Sequence, residues 1–431
     1  VGLRGKTIRA ISRSPLHGKL EIDATGRVVA PGFIDLLSYN PNAYGVRYKL
    51  ADGVTTNLAM HGAPGTGGDM GAWYRLYNRR RPVVNYGGTF LYNLARVELK
   101  VGINRAATAA QLGTLVSRAE RAVEDGALGI SMSLEYAPGI TQEEVEAMMR
   151  VAHRHRVPMF FHVRYSSMET SKTNLDALRE VLTLAKQYDV AIHIDHITST
   201  GGTRSMPESL RLLKQARAEG VDVTACAYPY AYWASPLNSA RWAGGWQRRF
   251  GIDFDDVQIA GSSVRLTPEN FERHRRLGKL AVAYAIPEED VVAAMSSPLV
   301  MIGSDAILEP GNNNHPRAAG TFTRVLRVYV REKRSLPLMD ALEKMTLLPA
   351  RRMQASAPAM RRKGRLQVGA DADLVVFDPD KVGDCATVEH PNCFSVGMDY
   401  VLVAGQVVKD PGGFNERARP GEAILNWKKS P

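Results

Sequence analysis

Residues 190–196, VAIHIDH, form an apolar, strand-like run that ends on a histidine. Three further runs have the same form and end on His61, His162 and Asp305: residues 54–61, 158–162 and 299–305. Histidine and aspartate side chains bind metals and transfer protons. In a barrel of parallel strands, such strand ends converge at one mouth. The repeated placement therefore predicts an enzyme whose active site contains these four side chains.

From Gly32 onward, similar runs alternate with amphipathic stretches, a pattern typical of parallel strands joined by helices. Strand ends are predicted near Leu36, His61, Phe90, Glu135, His162, His196, Tyr228 and Asp305. Apolar residues at helical spacing predict helices over 107–124, 141–154, 174–188, 207–218 and 337–345. The pattern predicts the α/β class, with a (β/α)8 TIM-like barrel over residues 31–365.

The two ends of the chain have a different pattern. Residues 1–30 and 366–431 contain short, alternating, turn-bounded runs, which predict one small β domain built from both ends. A long insert at about 231–290 interrupts the barrel pattern and contains Trp233, Trp242 and Trp246. These aromatic residues favour an ordered lid over a mobile loop.

Composition excludes several classes of protein. Of the 431 residues, 45% are hydrophobic and 23% charged, which is typical of globular proteins. No apolar stretch approaches the roughly 20 residues that span a bilayer, so we predict no membrane association. The formal charge of +11 is scattered in short groups such as Arg79–Arg81, without a long basic run interleaved with aromatic residues. We therefore predict no nucleic-acid partner. The oligomeric state stays open.

The three cysteines, Cys226, Cys385 and Cys393, form no CxxC pair. Their number and spacing predict neither a disulfide framework nor a cysteine-based zinc site. Cys226 lies within an apolar run and is interpreted as a small core residue. The sequence begins at Val1 without an apolar signal segment, which we interpret as a trimmed start. A cytoplasmic location is favoured, and periplasmic or secreted locations stay open.

Several other residues lie near the predicted strand ends. His193 belongs to the same strand as His196, but strand alternation places it on the opposite face, so it is left out of the site. Glu135 could act as a ligand or base, or could be an ordinary hydrogen-bonded carboxylate. The glycines at 62, 65, 67 and 68 lack the lysine and hydroxyl residue of a phosphate loop, so they are interpreted as close packing beneath a metal.

A set of motifs spread over nearly the whole chain resembles the D-aminoacylases, which are N-acyl-D-amino-acid deacylases of the amidohydrolase superfamily. The motifs are VAPGFID (29–35), GVTTN (53–57), SLEYAPG (133–139), HVR (162–164), DVTACAYPY (222–230), IGSD (302–305), HPRAAGTFTRVL (315–326), MTLLPA (345–350) and GADADLVVFDP (369–379). The resemblance implies a (β/α)8 barrel with a small β-sandwich domain from both chain ends, and zinc-dependent hydrolysis of an N-acyl bond.

The resemblance also implies roles for individual residues. His162 and His196 correspond to metal ligands, and His61 lies near the position of a cysteine ligand in the family. Asp305 resembles the residue that transfers protons. Tyr136 resembles the tyrosine that polarises the scissile carbonyl.

Substrate binding is implied in the same way. Arg317 resembles the arginine that binds the substrate carboxylate, and Tyr284 resembles a tyrosine that contacts substrate. The lysine that often follows the sixth-strand histidine is replaced here, since Ile197 and Thr198 follow His196. Carboxylate binding would then depend on Arg317, together with Arg164 or Arg204. The expected partner is a small molecule with a carboxylate.

One departure from the superfamily pattern concerns the metal count. The first strand normally ends in an HxH pair, but Leu37 and Tyr39 stand at those positions. Leucine cannot coordinate a metal, so we predict one zinc ion per chain, bound by His61, His162 and His196.

Two alternative functions stay open at this stage. Loss of the HxH pair could mark a barrel that no longer hydrolyses amides and serves as a binding protein for an anionic ligand. A dipeptidase or cyclic-amide hydrolase on the same scaffold is the other alternative. Measurements of metal content and turnover would separate these hypotheses.

Overall fold

The structure is a computed structural model that describes residues 1–61, 69–168 and 171–429. The glycine-rich segment discussed above, at 62, 65, 67 and 68, lies outside the described residues. Within the described part of the chain, no helix is both long enough and apolar enough to span a membrane.

Strands and helices alternate through most of the chain. In chain order the strands are β1 (Gly2–Arg4), β2 (Thr7–Ala10), β3 (Val28–Pro31), β4 (Phe33–Asp35), β5 (Val54–Ala59), β6 (Asn85–Gly88), β7 (Phe90–Leu91), β8 (Ile130–Ser133), β9 (Met159–His162), β10 (Ile192–Ile194), β11 (Val223–Ala227), β12 (Trp233–Pro236), β13 (Val257–Ile259), β14 (Leu280–Ala283), β15 (Val300–Ile302), β16 (Leu374–Phe377), β17 (Met398–Val403), β18 (Gln406–Asp410) and β19 (Gly413–Phe414). The α-helices are α1 (Gly45–Ala51), α2 (Met70–Arg80), α3 (Tyr92–Glu98), α4 (Ala109–Glu124), α5 (Gln142–His155), α6 (Asn174–Tyr188), α7 (Met206–Ala218), α8 (Trp246–Phe250), α9 (Pro268–Arg276), α10 (Glu288–Ser296), α11 (Arg317–Arg324), α12 (Leu338–Met345) and α13 (Leu347–Met353).

Two parallel sheets form the centre of the molecule. The larger has the order β15-β11-β10-β9-β8-β7, and the smaller has the order β4-β5-β6. Hydrogen bonds connect their edges, since Leu128 N donates to Gly88 O at 2.8 Å and Asp305 N donates to Leu37 O at 2.7 Å. The predicted α/β class with parallel strands is confirmed.

The helices that connect the strands begin where the sequence supplies caps. Thr108, Thr141 and Thr173 each precede a helix, and each forms a capping box with the residue three positions later. A capping box satisfies backbone N–H groups that would otherwise lack partners at the helix start. The helix predicted over 174–188 coincides with α6, and the others begin or end within two residues of their predicted limits.

An apolar cluster fills the space between the two parallel sheets. This inner cluster contains side chains from both sheets, among them Ile34, Leu58, Leu128, Phe160, Cys226 and Met301. Met159 and Phe161 flank Phe160 in the same strand and point to the opposite face, because side chains alternate along a strand. They belong to a second cluster that packs beneath the helices. Burial of each large apolar side chain contributes about 1.5–3 kcal/mol to folding.

A five-stranded antiparallel sheet joins the two ends of the chain. Its order is β19-β18-β17-β16-β3, and β3 pairs with β16 in the register Val29↔Val376. This sheet is consistent with the predicted small β domain built from both ends. After β19 the chain returns to the parallel strands, where Ile424 N donates to Tyr86 O of β6 at 2.7 Å.

The insert contains a small antiparallel sheet of its own, with the order β12-β14-β13. The aromatic rings of Trp233, Trp242 and Trp246 lie in successive contact, with centroids 5.1 Å apart in each pair. All three side chains are buried. The insert is therefore an ordered, packed element beside the strand ends, as its aromatic residues predicted.

Candidate active site

A cavity of about 560 Å³ opens at the carboxyl ends of the parallel strands. Its wall includes the four strand-end residues His61, His162, His196 and Asp305, together with Tyr136, Arg317, Trp233 and Arg241. Catalytic residues in α/β folds of this kind lie at the carboxyl ends of the strands. This cavity is therefore the candidate active site.

His61, His196 and Asp305 form a cluster of possible metal ligands, here called the mouth cluster. One nitrogen or oxygen atom from each lies within 4.8 Å of the others, and all three residues are buried. His61 Nε2 lies 3.0 Å from Asp305 Oδ1, and His196 Nε2 lies 3.9 Å from Asp305 Oδ2. Burial lowers the pKa of His196 well below its usual range, so this imidazole is neutral and can serve as a ligand.

His162 lies beside the mouth cluster and contacts it through one ring nitrogen. Its Nδ1 is 3.2 Å from His196 Nε2, and its Nε2 is 2.8 Å from Glu135 Oε2. Burial lowers the pKa of His162, and Glu135 only partly offsets that effect. A neutral ring that donates Nε2–H to Glu135 presents the lone pair of Nδ1 toward His196. A carboxylate behind a histidine commonly orients metal ligands in this way.

Glu135 is held as a charged group by three neighbours. Burial favours its neutral form, but Arg241, His162 and Ser166 outweigh burial and lower its pKa to about 2. Arg241 Nε lies 3.3 Å from Glu135 Oε2, and Arg241 Nη2 donates to Ser199 O at 2.9 Å. The guanidinium of Arg241 also stacks on Trp233, 3.9 Å from the ring centroid. The insert thus contributes a cation to the site.

Asp305 is paired with Arg317. Arg317 Nη2 lies 2.7 Å from Asp305 Oδ2, and Arg317 Nε donates to Asp305 O at 3.2 Å. Burial favours the neutral carboxyl, but Arg317, His196 and His61 hold the pKa of Asp305 well below its usual range. Asp305 is therefore a carboxylate at neutral pH. Arg317 Nη1 is buried and has no hydrogen-bond partner among the described residues.

Two site residues have left-handed backbone conformations. His196 has φ of 31° and Asp305 has φ of 52°. The regular strands end before them, at Ile194 and Ile302, so the chain turns and brings both side chains to the mouth. Such conformations cost about 1–3 kcal/mol in residues other than glycine and persist where surrounding contacts hold them.

The residue types of the mouth cluster fit a zinc ion. Imidazole nitrogens and a carboxylate are zinc ligands, and the Nε2 atoms of His61 and His196 both face the Asp305 carboxylate, at 3.0 and 3.9 Å. The first strand adds no ligand, because Leu37 is fully buried in the inner cluster and Tyr39 stacks on His61 with ring centroids 5.4 Å apart.

The predicted substrate-binding residues lie in different places. Tyr136 lines the cavity, donates its hydroxyl to Ser235 Oγ at 3.1 Å, and has a pKa raised by burial. Arg164 instead pairs with Glu180 at 2.7 Å and lines a neighbouring cavity. Tyr284 lies in the insert, outside the wall of the central cavity, and donates to Gln258 Oε1 at 2.9 Å. Arg204 Nη2 donates to Gly251 O at 3.1 Å.

Neither the place of Arg241 in the site nor its pairing with Glu135 is predicted from the sequence. The positive charge of Arg241 is evident in the sequence of the insert, but no motif marks this arginine as a site residue. Glu135 lies at the end of a strand more than one hundred positions earlier in the chain, and only the fold brings the two side chains together.

Comparison with known proteins identifies the family of the chain. Residues 105–409 match the model of the amidohydrolase family. Two relatives from Alcaligenes xylosoxydans xylosoxydans are similar over nearly their full length. A D-aminoacylase is 32% identical over 95% of this chain and 90% of its own, and an N-acyl-D-glutamate deacylase is 31% identical over 95% and 89%.

Two solved structures have the same fold. A D-aminoacylase with a binuclear metal centre has a TM-score of 0.83 and 26% identity, covering 98% of this chain and 95% of its own. The N-acyl-D-glutamate deacylase of Bordetella bronchiseptica, complexed with zinc and a phosphonate inhibitor, has a TM-score of 0.77 and 29% identity, covering 94% and 90%. The chain belongs to the amidohydrolase family and, within it, to the D-aminoacylases. The family resemblance predicted from the motifs is thereby confirmed.

Proposed function

We propose that this chain is an enzyme that hydrolyses the bond between an acyl group and the nitrogen of a D-amino acid. The two relatives with the highest identity quoted above carry the names of such deacylases. The single observation that carries the proposal is the mouth cluster of His61, His196 and Asp305, with His162 beside it, in a cavity that also contains Arg317.

We further propose that the two parallel sheets close into one (β/α)8 barrel. The bonds from Leu128 to Gly88 and from Asp305 to Leu37 support closure at the two edges where the sheets meet. The inner cluster supports it as well, because it draws side chains from both sheets. In that arrangement β6 and β7 together form one of the eight strands.

The metal in this proposal is one zinc ion per chain, held by His61, His162 and His196. A metal so placed supplies Lewis acidity and a water molecule of lowered pKa. A similar solved deacylase is complexed with zinc, and the related D-aminoacylase is described as activated by one metal and attenuated by a second. The buried Leu37 at the first strand supports a single ion here.

Proton transfer belongs to Asp305 in this proposal. Its carboxylate accepts a proton from the attacking water and donates that proton to the leaving nitrogen. The ion pair with Arg317 supports this role, because it keeps Asp305 charged before the reaction begins. Tyr136, whose pKa is raised, stays protonated; its hydroxyl turns from Ser235 Oγ and donates its hydrogen bond to the oxygen of the scissile carbonyl as charge develops there.

Substrate orientation belongs to Arg317. Its Nη1 group is buried and without a hydrogen-bond partner among the described residues, so it is available to the carboxylate of an N-acyl amino acid. The proposal does not assign Arg164 to the substrate, because Glu180 already engages its guanidinium.

A substrate panel with metal removal tests the proposal. We expect hydrolysis of N-acetyl-D-amino acids but not of their L enantiomers, loss of activity on chelation, and recovery with zinc. Dipeptides and cyclic amides in the same panel test the other hydrolases on this scaffold. Full activity of a metal-free protein would contradict the metal assignment. Binding of N-acyl amino acids without turnover by zinc-loaded protein would instead indicate a binding protein.

A further inference from the structure

A second group of side chains that could bind a metal includes His193 and Asp195, which precede His196 in the chain. His193, Asp195 and Cys226 each place one nitrogen, oxygen or sulfur atom within 4.8 Å of the others. Their exposed fractions are 0%, 1% and 0%. None of the three lines the central cavity, so this group, here called the inner triad, is separate from the proposed reaction site.

Two members of the inner triad present polar atoms that the protein leaves unsatisfied. His193 Nδ1 lies 2.8 Å from Thr224 Oγ1, whereas His193 Nε2 has no hydrogen-bond partner among the described residues. Both carboxylate oxygens of Asp195 also lack such a partner in the described part of the chain. A buried polar group without a hydrogen-bond partner destabilises the folded protein, so three such atoms in one place indicate a ligand-binding site.

The third member, Cys226, accepts a hydrogen bond at its sulfur. The backbone N–H of His196 donates to Cys226 Sγ at 3.3 Å. Backbone N–H groups directed at sulfur are a usual environment of metal-bound thiolates, because they stabilise negative charge on the sulfur. The contact with Thr224 has a parallel effect on His193: when Nδ1–H donates to Thr224 Oγ1, the ring is fixed and the lone pair of Nε2 is left to coordinate.

We propose that the inner triad is a binding site for a divalent metal ion of the zinc class, distinct from the mouth cluster. Imidazole nitrogen, carboxylate oxygen and thiolate sulfur together match the ligand preferences of zinc, whereas an all-oxygen set would suit magnesium or calcium. Binding displaces the thiol proton of Cys226 to solvent, and the metal–sulfur bond replaces the S–H bond. The proposal is independent of the reaction assigned to the central cavity.

The position of the triad gives such an ion a structural consequence. Asp195 immediately precedes His196, and Cys226 Sγ accepts a hydrogen bond from the backbone N–H of His196. An ion bound here would therefore fix the segment in which His196 has its left-handed conformation, with φ of 31°. In this role the triad residues position His196 and do not contact substrate.

Cobalt substitution tests the proposal with a signal that the mouth cluster cannot produce. The mouth cluster contains no cysteine, whereas cobalt bound by Cys226 gives a sulfur-to-metal charge-transfer band in the near ultraviolet. We expect that band in the full-length protein loaded with Co²⁺, and we expect Cys226→Ser to abolish it. Cys393→Ser serves as the matched control and should keep the band.

Two further variants separate the two sites. His193→Gln should bind one metal equivalent fewer than the wild type, measured by elemental analysis on protein whose fold is checked by circular dichroism. His61→Ala removes a mouth residue and should keep the band unchanged. Absence of the band in cobalt-loaded wild type overturns the proposal whatever the variants do. Loss of the band in His61→Ala overturns it as well, because the sulfur would then belong to the mouth site.

Discussion

Arg317 contacts Asp305 through two of its nitrogens, with Nη2 2.7 Å from Oδ2 and Nε 3.2 Å from the backbone oxygen. The pair therefore fixes both the charge of the carboxylate and the position of its backbone. Because Nη1 has no hydrogen-bond partner among the described residues, the same guanidinium can contact a substrate carboxylate. In the proposed mechanism, one arginine thus links substrate orientation to the residue that moves the proton.

The first prediction concerns Asp305. Asp305→Asn keeps the shape of the side chain but removes its ability to accept a proton, so kcat should fall about 10²- to 10⁴-fold. Glu309→Gln is the matched control, because Glu309 lines the same cavity at its exposed rim. Steady-state kinetics on an N-acyl-D-amino acid checks both variants. Equal activity of Asp305→Asn and the control would contradict the assigned role.

The second prediction separates Arg317 from Arg164. Arg317→Lys keeps the positive charge beside Asp305 but loses the planar set of donors, so KM should rise about tenfold, equivalent to about 1.4 kcal/mol. Arg164→Lys should leave KM unchanged, because Glu180 engages Arg164 outside the central cavity. An increase in KM for Arg164→Lys alone would reverse the assignment.

The third prediction concerns the carboxylate behind His162. Glu135→Gln removes the charge that orients the ring, and removal of such a partner usually weakens metal binding about 10- to 100-fold. Competition with a chelator of known affinity measures that change. Glu180→Gln, which removes the partner of Arg164, should leave metal affinity as it is in the wild type. Unchanged affinity in Glu135→Gln would contradict the role of Glu135 in orienting His162 as a ligand.

The fourth prediction is a pH dependence of stability. Lys344 is buried, donates to Val300 O at 2.9 Å, and burial lowers its pKa from 10.5 to about 8. Between pH 8 and pH 10.5 the unfolded chain therefore binds more protons at this residue than the folded protein does. The contribution of Lys344 to the free energy of unfolding should rise with pH over that window.

Denaturant titrations of the wild type and of Lys344→Met at several pH values measure this effect. The wild type should gain stability relative to the variant by up to about 1.4 kcal/mol per pH unit between pH 8 and pH 10.5. Lys214→Met changes an exposed lysine and serves as the control. A constant difference between wild type and Lys344→Met across this pH range would show that burial does not lower the pKa of Lys344 in the folded protein.

Local sequence was sufficient to predict the helices. The helix α6 coincides with its predicted range because an apolar stripe lies between a threonine cap and a residue in a left-handed conformation, Asp189. Caps and periodicity depend on neighbouring residues, so they are legible in the sequence. The strands were placed less accurately, since β5, β10 and β15 end two or three residues before the predicted His61, His196 and Asp305.

Candidate site residues at the ends of strands could be predicted from the sequence. Contacts between side chains that are far apart in the chain could not. The mouth cluster follows from parallel strands whose ends meet, so its three members could be named from the sequence. The pairing of Arg164 with Glu180 depends on how α6 packs beside β9, which no short motif encodes. The approach of Arg241 to Glu135 depends on the path of the insert for the same reason.

The left-handed conformations of His196 and Asp305 set a limit for protein engineering. Glycine or asparagine adopts such a backbone at lower cost, so a selection for thermal stability alone should favour their replacement at both positions. Each replacement would remove an imidazole or a carboxylate from the mouth cluster. A stabilised variant of this protein should therefore be screened for activity at the same time, because heat resistance and turnover compete at these two positions.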